Sequence, residues 1–132
     1  MTINTLFSLS GKIAAITGFG APKDALSNGG AIAQLFATQG AVIEGLDISA
    51  EDAQNTVEAI IKAGGQAFFT SGDATVEADI DRWIKSVLQR HGRIDILINN
   101  VGQSERLTPE DADTNIWRAQ LALNLNLSLI HI

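Results

Sequence analysis

The chain has 132 residues, of which 45% are hydrophobic and 18% charged, as is typical of one soluble globular domain rather than a disordered tail. A formal net charge of -6 means that a nucleic acid or an anionic membrane surface would on average repel it. The absence of cysteine excludes disulfides and thiolate metal sites, and no apolar run approaches the roughly eighteen residues of a membrane span. With no basic region of a signal peptide at its start, we expect a cytoplasmic protein that binds neither nucleic acid nor membrane, and we predict no metal site.

Short apolar segments rich in β-branched residues predict four β-strands, each closed by a turn residue. In chain order they are residues 12–17, 41–46, 66–70 and 93–98.

After each strand, apolar side chains recur at helical spacing and predict a helix with one buried face. The residues predicted to face inward are Ile32, Leu35 and Phe36 in the first helix, Ala53, Val57, Ile60 and Ile61 in the second, Ile80, Trp83, Ile84 and Val87 in the third, and Ile116, Leu123 and Leu127 in the fourth.

Capping residues indicate where these helices begin and end. Ser49, three residues before Asp52, resembles a capping box and predicts the start of the second helix. Thr75 is the predicted cap of the third helix, and Thr108-Pro109 that of the fourth. His91-Gly92 predicts the end of the third helix, where a histidine complements the helix dipole.

Strand and helix alternate four times, and the strands are too apolar for one face to be wetted. This pattern predicts a parallel sheet covered by helices on both sides. The expected fold class is therefore α/β: a Rossmann-like, doubly wound parallel sheet, truncated after about four βα units.

In such a sheet the ligand crevice lies beyond the carboxyl ends of the strands, so the residues that follow each strand are candidates for a site. After the first strand, a loop with several glycines runs from Gly18 to a helix that begins near Gly29. Glycines let the backbone approach a pyrophosphate, and a helix N-terminus offers free N–H groups and a positive dipole end. The spacing is not a strict G-x-G-x-x-G, so an ordinary turn is the alternative.

Asp47 follows the second strand, near the roughly twenty-residue offset from the glycine loop at which an acid binds the adenosine ribose. A carboxylate there accepts both ribose hydroxyl protons and repels a 2'-phosphate, which favours NAD over NADP. Lys23 in the loop could offset that repulsion. The alternative role for Asp47 is to stabilise the dipole of the following helix.

Two further candidates follow the third and fourth strands. Asp73 could bind a ligand, and the alternative is an aspartate that bonds back to its own turn. Residues 99–102 bring two amides and a glycine that could hold a ribose, although asparagine is also an ordinary turn former. All the candidate positions lie after consecutive strands, and we therefore expect them on one rim of the sheet.

Taken in order, these motifs resemble the short-chain dehydrogenase/reductase family over nearly the whole chain. The matching segments are residues 9–14, 16–18, Gly29 with 31–33, 46–47, 72–74, 93–102, and Trp117 seven residues ahead of Asn124. The resemblance implies an NAD(P)-dependent oxidoreductase that transfers hydride between a nicotinamide cofactor and an alcohol or carbonyl substrate. It also implies a homo-oligomer, because the family often pairs subunits through the helix that starts near Pro109.

The resemblance further implies a set of site residues. The Thr-Gly turn and glycines hold the pyrophosphate, the acid after the second strand selects NAD, and the aspartate after the third meets adenine. The implied cofactor-binding residues are Gly18, Phe19, Ser27, Asn28, Gly29, Asp47, Ile48, Asp73, Ala74, Asn100, Val101 and Gly102. Asn124 matches the asparagine of the family's catalytic tetrad, which helps to hold a water in the proton relay.

The chain departs from the family pattern in its loop and in its missing residues. Val101 replaces an alanine, the glycine loop is longer than usual, and Ser27 and Gly30 stand where glycine and a basic residue are more frequent. The family's serine, tyrosine and lysine lie beyond the last residue, and the chain contains no tyrosine. Without a general acid, we expect this chain to have no measurable dehydrogenase activity.

Several alternatives stay open from the sequence. A non-catalytic nucleotide-binding module would keep only the adenosine half of the site, and an unstable fragment would bind nothing. A receiver domain needs an acidic pair after the first strand, where Thr17-Gly18 stands instead. Residues 1–126 are expected to be the N-terminal portion of a dinucleotide-binding domain. Residues 127–132 resemble one frame of a transposon-end adapter and are a possible non-native tail, the alternative being a natural, divergent helix.

Overall fold

The protein is described by a computed structural model that covers residues 5–101 and 113–121. Strands and helices alternate along it. The strands are β1 (Ile13–Thr17), β2 (Val42–Asp47), β3 (Gln66–Ser71) and β4 (Ile96–Ile98). The helices are α1 (Asn28–Thr38), α2 (Ala50–Lys62), α3 (Glu77–His91) and α4 (Thr114–Leu121), and a short 3-10 turn at Thr5–Phe7 precedes β1.

The four described strands form one parallel sheet in the order β3-β2-β1-β4. The register pairs Thr17 with Leu46 and Ile16 with Ile98, so the strands end at a common edge. Strand order reverses between β1 and β4, because the chain moves outward through β2 and β3 and then returns to the other side of β1. The predicted α/β class and doubly wound parallel sheet are confirmed, and the reversal marks where a ligand crevice is expected.

Both faces of the sheet are covered, because successive strand residues point to opposite sides and all five residues of β1 are buried. On one face the core comprises Ala14, Ile16 and Ile43 with Ala33 of α1 and Ala53, Val57 and Ile60 of α2. On the other face it comprises Ile13, Ala15 and Leu46 with Ile80, Trp83 and Val87 of α3. This arrangement fixes the N-terminal ends of all three helices near the carboxyl edge of the sheet.

Two of the predicted helix limits are confirmed and one is wrong. Ser49 caps α2, its hydroxyl accepting the Asp52 N–H at 3.2 Å, and Gly92 ends α3 in the left-handed conformation with φ 76°. Thr75 does not cap α3: the N-cap is Val76, without a side-chain bond. The Thr75 hydroxyl instead donates to the Asp73 carboxylate at 2.6 Å, a charge-assisted bond that outcompetes capping.

Other predictions differ in detail. Leu35 and Ile61 are 60% and 56% exposed, because the buried stripes of α1 and α2 centre on Ala33 and Ile60. The fourth strand begins at Ile96 and is therefore shorter than predicted. The Asp95 carboxylate accepts the Ile13 N–H, so this N–H is not paired with a backbone carbonyl of a longer β4, and the Arg93 guanidinium donates to Gly11 O before β1.

Several predicted features lie outside the described residues. They are the Thr108-Pro109 helix start, Leu123, Leu127, the catalytic candidate Asn124, the cofactor candidate Gly102 and the tail 127–132. Among the helices of the described part, none is long and apolar enough to cross a membrane.

Candidate functional site

The candidate residues after the four strands meet at one edge of the sheet. Backbone bonds connect them there: the Gly18 N–H donates to Leu46 O at 2.8 Å, and the Gly72 N–H donates to Asp47 O at 3.0 Å. On the other side, the Asn100 N–H donates to Thr17 Oγ1 at 3.1 Å. We call the surface along this edge, bordered by Gly18, Asp47, Asp73 and Asn100, the crevice.

At the floor of the crevice, the Gly18 carbonyl group contacts the Asn100 side chain and the backbone of Gly29. The Asn100 side-chain amide donates to Gly18 O at 2.9 Å. A Cβ atom added at Gly29 would lie 2.1 Å from that same oxygen, so only glycine fits there. Gly18 itself has φ 64°, which glycine adopts freely, and a Cβ on it would lie 2.9 Å from Val101 Cγ2. The glycines therefore bring the start of α1 against the ends of β1 and β4.

The N-terminus of α1 opens onto this floor. The first N–H groups of a helix have no partner within the helix, and Ser27 satisfies one of them by accepting the Gly30 N–H at 2.9 Å. Among the described residues, this leaves the N–H groups of Asn28 and Gly29 at the positive end of the helix dipole. That arrangement suits an anion such as a phosphate.

The carboxylate of Asp47 is held by two backbone donors. Its Oδ2 accepts the Gly20 N–H at 2.9 Å, and its Oδ1 accepts the Ser49 N–H at 2.9 Å. Because an ionised carboxylate offers about four acceptor positions, each oxygen can still accept a hydroxyl proton. The carboxylate is thus fixed in orientation and lies beside the first turn of α2, so the role at the helix N-terminus and the role in ligand binding are compatible. Next to it, Ile48 is 74% exposed.

Asp73 bonds to its own turn, which is the alternative that the sequence left open. Its Oδ1 accepts the N–H of Thr75 at 2.8 Å and the hydroxyl of Thr75 at 2.6 Å. The Asp73 N–H in turn donates to Asp79 Oδ2 at 2.8 Å. This bond, followed by the hydrogen bond from Arg82, holds the pKa of Asp79 below its usual value. The loop before the buried Ala74 is therefore anchored to α3, and a contact of Asp73 with a ligand stays a prediction.

Two predicted cofactor-binding side chains do not point into the crevice. The ring of Phe19 is fully buried against Gly45, where an added Cβ would lie 2.0 Å from Phe19 Cε1. The hydroxyl of Ser27 donates its proton to Gly20 O at 2.8 Å. Any contribution of these two residues to a bound dinucleotide would therefore come through the backbone or through neighbouring residues.

The additional residues of the long glycine loop lie on its α2 side. Pro22, Lys23 and Asp24 line a cleft of about 300 Å³ together with Asn55 and other residues of α2. The stem of the loop is fastened to the same helix, since Asn55 Nδ2 donates to Ala21 O at 3.2 Å. Lys23 thus shares its cleft with α2, and the residues that border the crevice do not line this cleft.

Two residues outside the predicted set of site residues, Gly20 and Glu44, have clear positions. Gly20 faces Asp47 so closely that an added Cβ would lie 2.8 Å from Oδ2, a contact that the sequence does not signal. Glu44 is fully buried in β2, where Arg90 and His91 Nε2, the latter at 2.8 Å, contact its Oε1. In the sequence, Glu44 stands out as the one charged residue within the predicted apolar strand of residues 41–46, and this could have indicated a buried ion pair. His91 therefore bonds to a strand of the core, in keeping with a structural role.

A larger cleft, of about 620 Å³, opens at the opposite edge of the sheet. Neutral side chains such as Gln34, Thr38 and Gln66 line it together with backbone, and no lining residue of this part of the structure is charged. From the residues that the structure describes, it offers no cationic side chain and no helix N-terminus to a pyrophosphate, so we assign the candidate site to the crevice. Within residues 5–101 and 113–121, no group of histidine and acidic side chains could hold a metal ion.

Comparison with known proteins gives consistent matches. The sequence profile of the short chain dehydrogenase family matches residues 12–131. The short-chain dehydrogenase/reductase homolog YusS of Bacillus subtilis is 34% identical over 103 residues, which are 77% of this chain and 90% of that protein. The 7alpha-hydroxysteroid dehydrogenase of Escherichia coli K12 is 40% identical over 94 residues, which are 71% of this chain and 35% of that enzyme.

Solved structures agree with this result. A putative short-chain dehydrogenase/reductase from Burkholderia xenovorans superposes with a TM-score of 0.87 at 36% identity, over 92% of this chain and 48% of that one. Hydroxysteroid dehydrogenase from Escherichia coli gives 0.85 at 35% identity, over 94% and 50%. The chain thus spans half or less of these solved structures, although it spans most of the Bacillus homolog.

Proposed function

Because the chain belongs to the short-chain dehydrogenase/reductase family, we propose that its crevice binds the adenosine half of a nicotinamide dinucleotide, with NAD preferred over NADP. Members of this family are oxidoreductases that use one or the other of these cofactors. The corresponding reaction is hydride transfer between the cofactor and an alcohol or ketone. The observation that carries the proposal is the close contact of Gly29 with Gly18 O beside Asn100.

The pyrophosphate would lie at the N-terminus of α1. The N–H groups of Asn28 and Gly29 are available there, and the absence of a side chain at Gly29 lets the phosphate oxygens approach the backbone. The helix dipole adds a favourable interaction of about 0.3–1 kcal/mol with an anion at this end.

The preference for NAD rests on the fixed charge of Asp47. The Gly20 and Ser49 N–H groups hold the carboxylate in one orientation, so it cannot turn away from a ribose 2'-phosphate. Two like charges about 4 Å apart repel by about 1–4 kcal/mol, depending on the local dielectric. Lys23 faces the cleft on the side of α2, which supports the view that it does not neutralise this repulsion.

We assign the adenine ring to the space beyond the ribose. The exposed Ile48 offers an apolar surface next to Asp47, and the loop at Asp73 and Ala74 borders the same part of the crevice. Because α3 fixes this loop through the Asp79 carboxylate, the loop is in place before a ligand arrives.

Catalysis requires groups that these 132 residues do not contain. The chain has no tyrosine, so the proton donor that the family uses cannot come from it, and Asn124 would at most help to hold a water of the proton relay. We therefore propose that the chain alone binds cofactor without turning over. Where the missing catalytic groups are present, we propose that the substrate is an alcohol or a ketone. We also propose that the subunits pair in a homo-oligomer and that the protein is located in the cytoplasm. Named relatives include a 7alpha-hydroxysteroid dehydrogenase and a D-threitol dehydrogenase.

A second candidate is a non-catalytic nucleotide-binding module, which the absence of tyrosine favours. Both candidates predict binding of nucleotide by the chain, and they differ in whether the gene product ever supports hydride transfer.

The proposal is tested by calorimetric titration of the purified chain with NAD, NADP and ADP-ribose, together with an absorbance assay for reduced nicotinamide. We expect similar affinities for NAD and ADP-ribose, binding of NADP weaker by about tenfold from the repulsion at Asp47, and no turnover. Tighter binding of NADP would contradict the assignment of Asp47. A folded chain that binds none of the three would contradict the proposed function.

A further inference from the structure

The hydroxyl of Ser27 makes two hydrogen bonds in different directions. It accepts the Gly30 N–H in the first turn of α1 at 2.9 Å, and it donates to the carbonyl oxygen of Gly20 at 2.8 Å. A hydroxyl group has a single proton, and that proton is committed to Gly20. Ser27 therefore cannot donate a proton to a phosphate while this bond is intact.

Gly20 connects this hydroxyl to the carboxylate of Asp47. Its N–H donates to Asp47 Oδ2 at 2.9 Å, and it has no side chain that could hold it by packing. A Cβ at this position would lie 2.8 Å from the same Oδ2, so glycine is needed for the approach. A continuous path thus runs from the start of α1 through Ser27 and Gly20 to Asp47, and we call it the Ser27–Gly20–Asp47 link.

We propose that Ser27 is a positioning residue that fixes the ribose-binding carboxylate relative to the phosphate-binding helix. It acts through Gly20 and does not touch the nucleotide. The inference rests on the proposed function, since it concerns the two ends of the same crevice. A glycine at residue 27 would provide no such link, because it lacks the hydroxyl.

A simpler role for Ser27 would be to cap α1 and nothing more. The two roles make different predictions for ligands that differ only in the ribose. Adenosine 5'-monophosphate carries a 2'-hydroxyl that can donate a hydrogen bond to Asp47, whereas the 2'-deoxy nucleotide lacks this hydroxyl. Loss of a cap would lower the affinity for both nucleotides equally. Loss of the link would lower only the affinity for the ribonucleotide, because its 2'-hydroxyl bonds to Asp47.

The first test is calorimetric binding of these two nucleotides to the wild-type chain, Ser27→Ala, Ser27→Thr and Thr38→Ala. We expect the wild type to prefer the ribonucleotide by about tenfold, as for one hydrogen bond to a charged group, and Ser27→Ala to reduce that preference to below about threefold. Ser27→Thr keeps a hydroxyl in an extended conformation that suits threonine and should restore the preference. Thr38→Ala removes a hydroxyl at the far end of α1 and serves as the matched control.

The second test needs no ligand. Amide hydrogen exchange measured by NMR should show the Gly20 amide exchanging about tenfold faster in Ser27→Ala, with no change in Thr38→Ala. An unchanged ribose preference in Ser27→Ala, or unchanged exchange at Gly20, would overturn the proposal. If the wild type binds neither nucleotide, the proposed function fails, and the exchange at Gly20 still decides whether the link exists.

Discussion

Gly29 lies directly against the carbonyl oxygen of Gly18, so that a Cβ atom at Gly29 would be 2.1 Å from it. The same Cβ would lie 2.6 Å from Asn100 Nδ2, which donates to that oxygen. The end of β1, the start of α1 and the segment after β4 therefore meet here, with the Asn100 amide bonded to the same oxygen that Gly29 approaches. The geometry of the crevice floor depends on this contact.

Gly29→Ala should disrupt the contact between α1 and the end of β1 that forms the floor of the crevice. The methyl group must displace backbone atoms, which we expect to destabilise the chain by about 3 kcal/mol and to weaken ADP-ribose by at least tenfold. Urea unfolding and calorimetry measure the two effects. Gly64→Ala is the control, because Gly64 has φ 92° in open space away from the crevice. It should cost about 1 kcal/mol of strain and leave the affinity for ADP-ribose unchanged. A Gly29→Ala variant with normal affinity would contradict the described floor.

Asp47→Asn should reduce the discrimination between NAD and NADP. The variant keeps the size of the side chain but loses the charge that repels a 2'-phosphate, so we expect the ratio of the two affinities to fall by about tenfold. Asp24→Asn is the matched control: it removes one negative charge from the neighbouring loop, at a residue whose φ of 58° asparagine tolerates. An equal change of the ratio in both variants would show that net charge, and not Asp47, sets the preference.

Glu44→Gln should destabilise the chain without affecting nucleotide binding. The fully buried carboxylate contacts Arg90 and His91, and the amide cannot pair with the guanidinium charge. Because the Arg90 side chain is 38% exposed, solvent compensates in part, and we expect a loss of about 2 kcal/mol in the free energy of unfolding. The exposed Glu58 of α2 provides a control, since Glu58→Gln should change stability by less than about 0.5 kcal/mol. Equal urea midpoints for Glu44→Gln and the wild type would refute this account.

Asp95 should contribute to acid unfolding. The Ile13 N–H, and after it the Arg93 guanidinium, hold the pKa of Asp95 below its ordinary value of 3.8. Since the pKa is lowered in the folded state, the contribution of this carboxylate to stability is complete well above pH 3.8 and is lost as the pH falls through the lowered value.

Urea unfolding at a series of pH values from about 5 downward measures this dependence. Asp95→Asn should show a shallower loss of stability below pH 3.8 than the wild type. An Asp95→Asn curve parallel to that of the wild type over this range would contradict the assigned role.

Local signals in the sequence predicted most of the architecture. The apolar runs around β1 and β2, the Ser49 cap and the Gly92 stop each depend on a few neighbouring residues, and the structure confirms them. The class of the sheet follows from the repeated alternation of strand and helix, because few other arrangements bury such strands on both faces.

Features set by the choice among competing hydrogen-bond partners, or by distant residues, could not be predicted in the same way. Thr75 resembles a helix cap in sequence, but its hydroxyl donates to the Asp73 carboxylate instead. The role of Ser27 depends on Gly20, and the environment of Glu44 depends on Arg90 at the end of α3. Sequence spacing indicates that Asp47 lies at the crevice, but not which backbone groups orient its carboxylate.

We propose that the carboxyl edge of this sheet is the adenosine half of a dinucleotide site. The most direct test of this proposal is an NMR titration of the isotope-labelled chain with ADP-ribose. We expect saturable chemical-shift changes of the Gly18, Gly29, Ser49 and Asn100 amides, whereas the amides of Gly40 and Gly64 at the opposite edge should not shift. A well-dispersed spectrum that does not respond to ADP-ribose, or that responds only at the opposite edge, would contradict it.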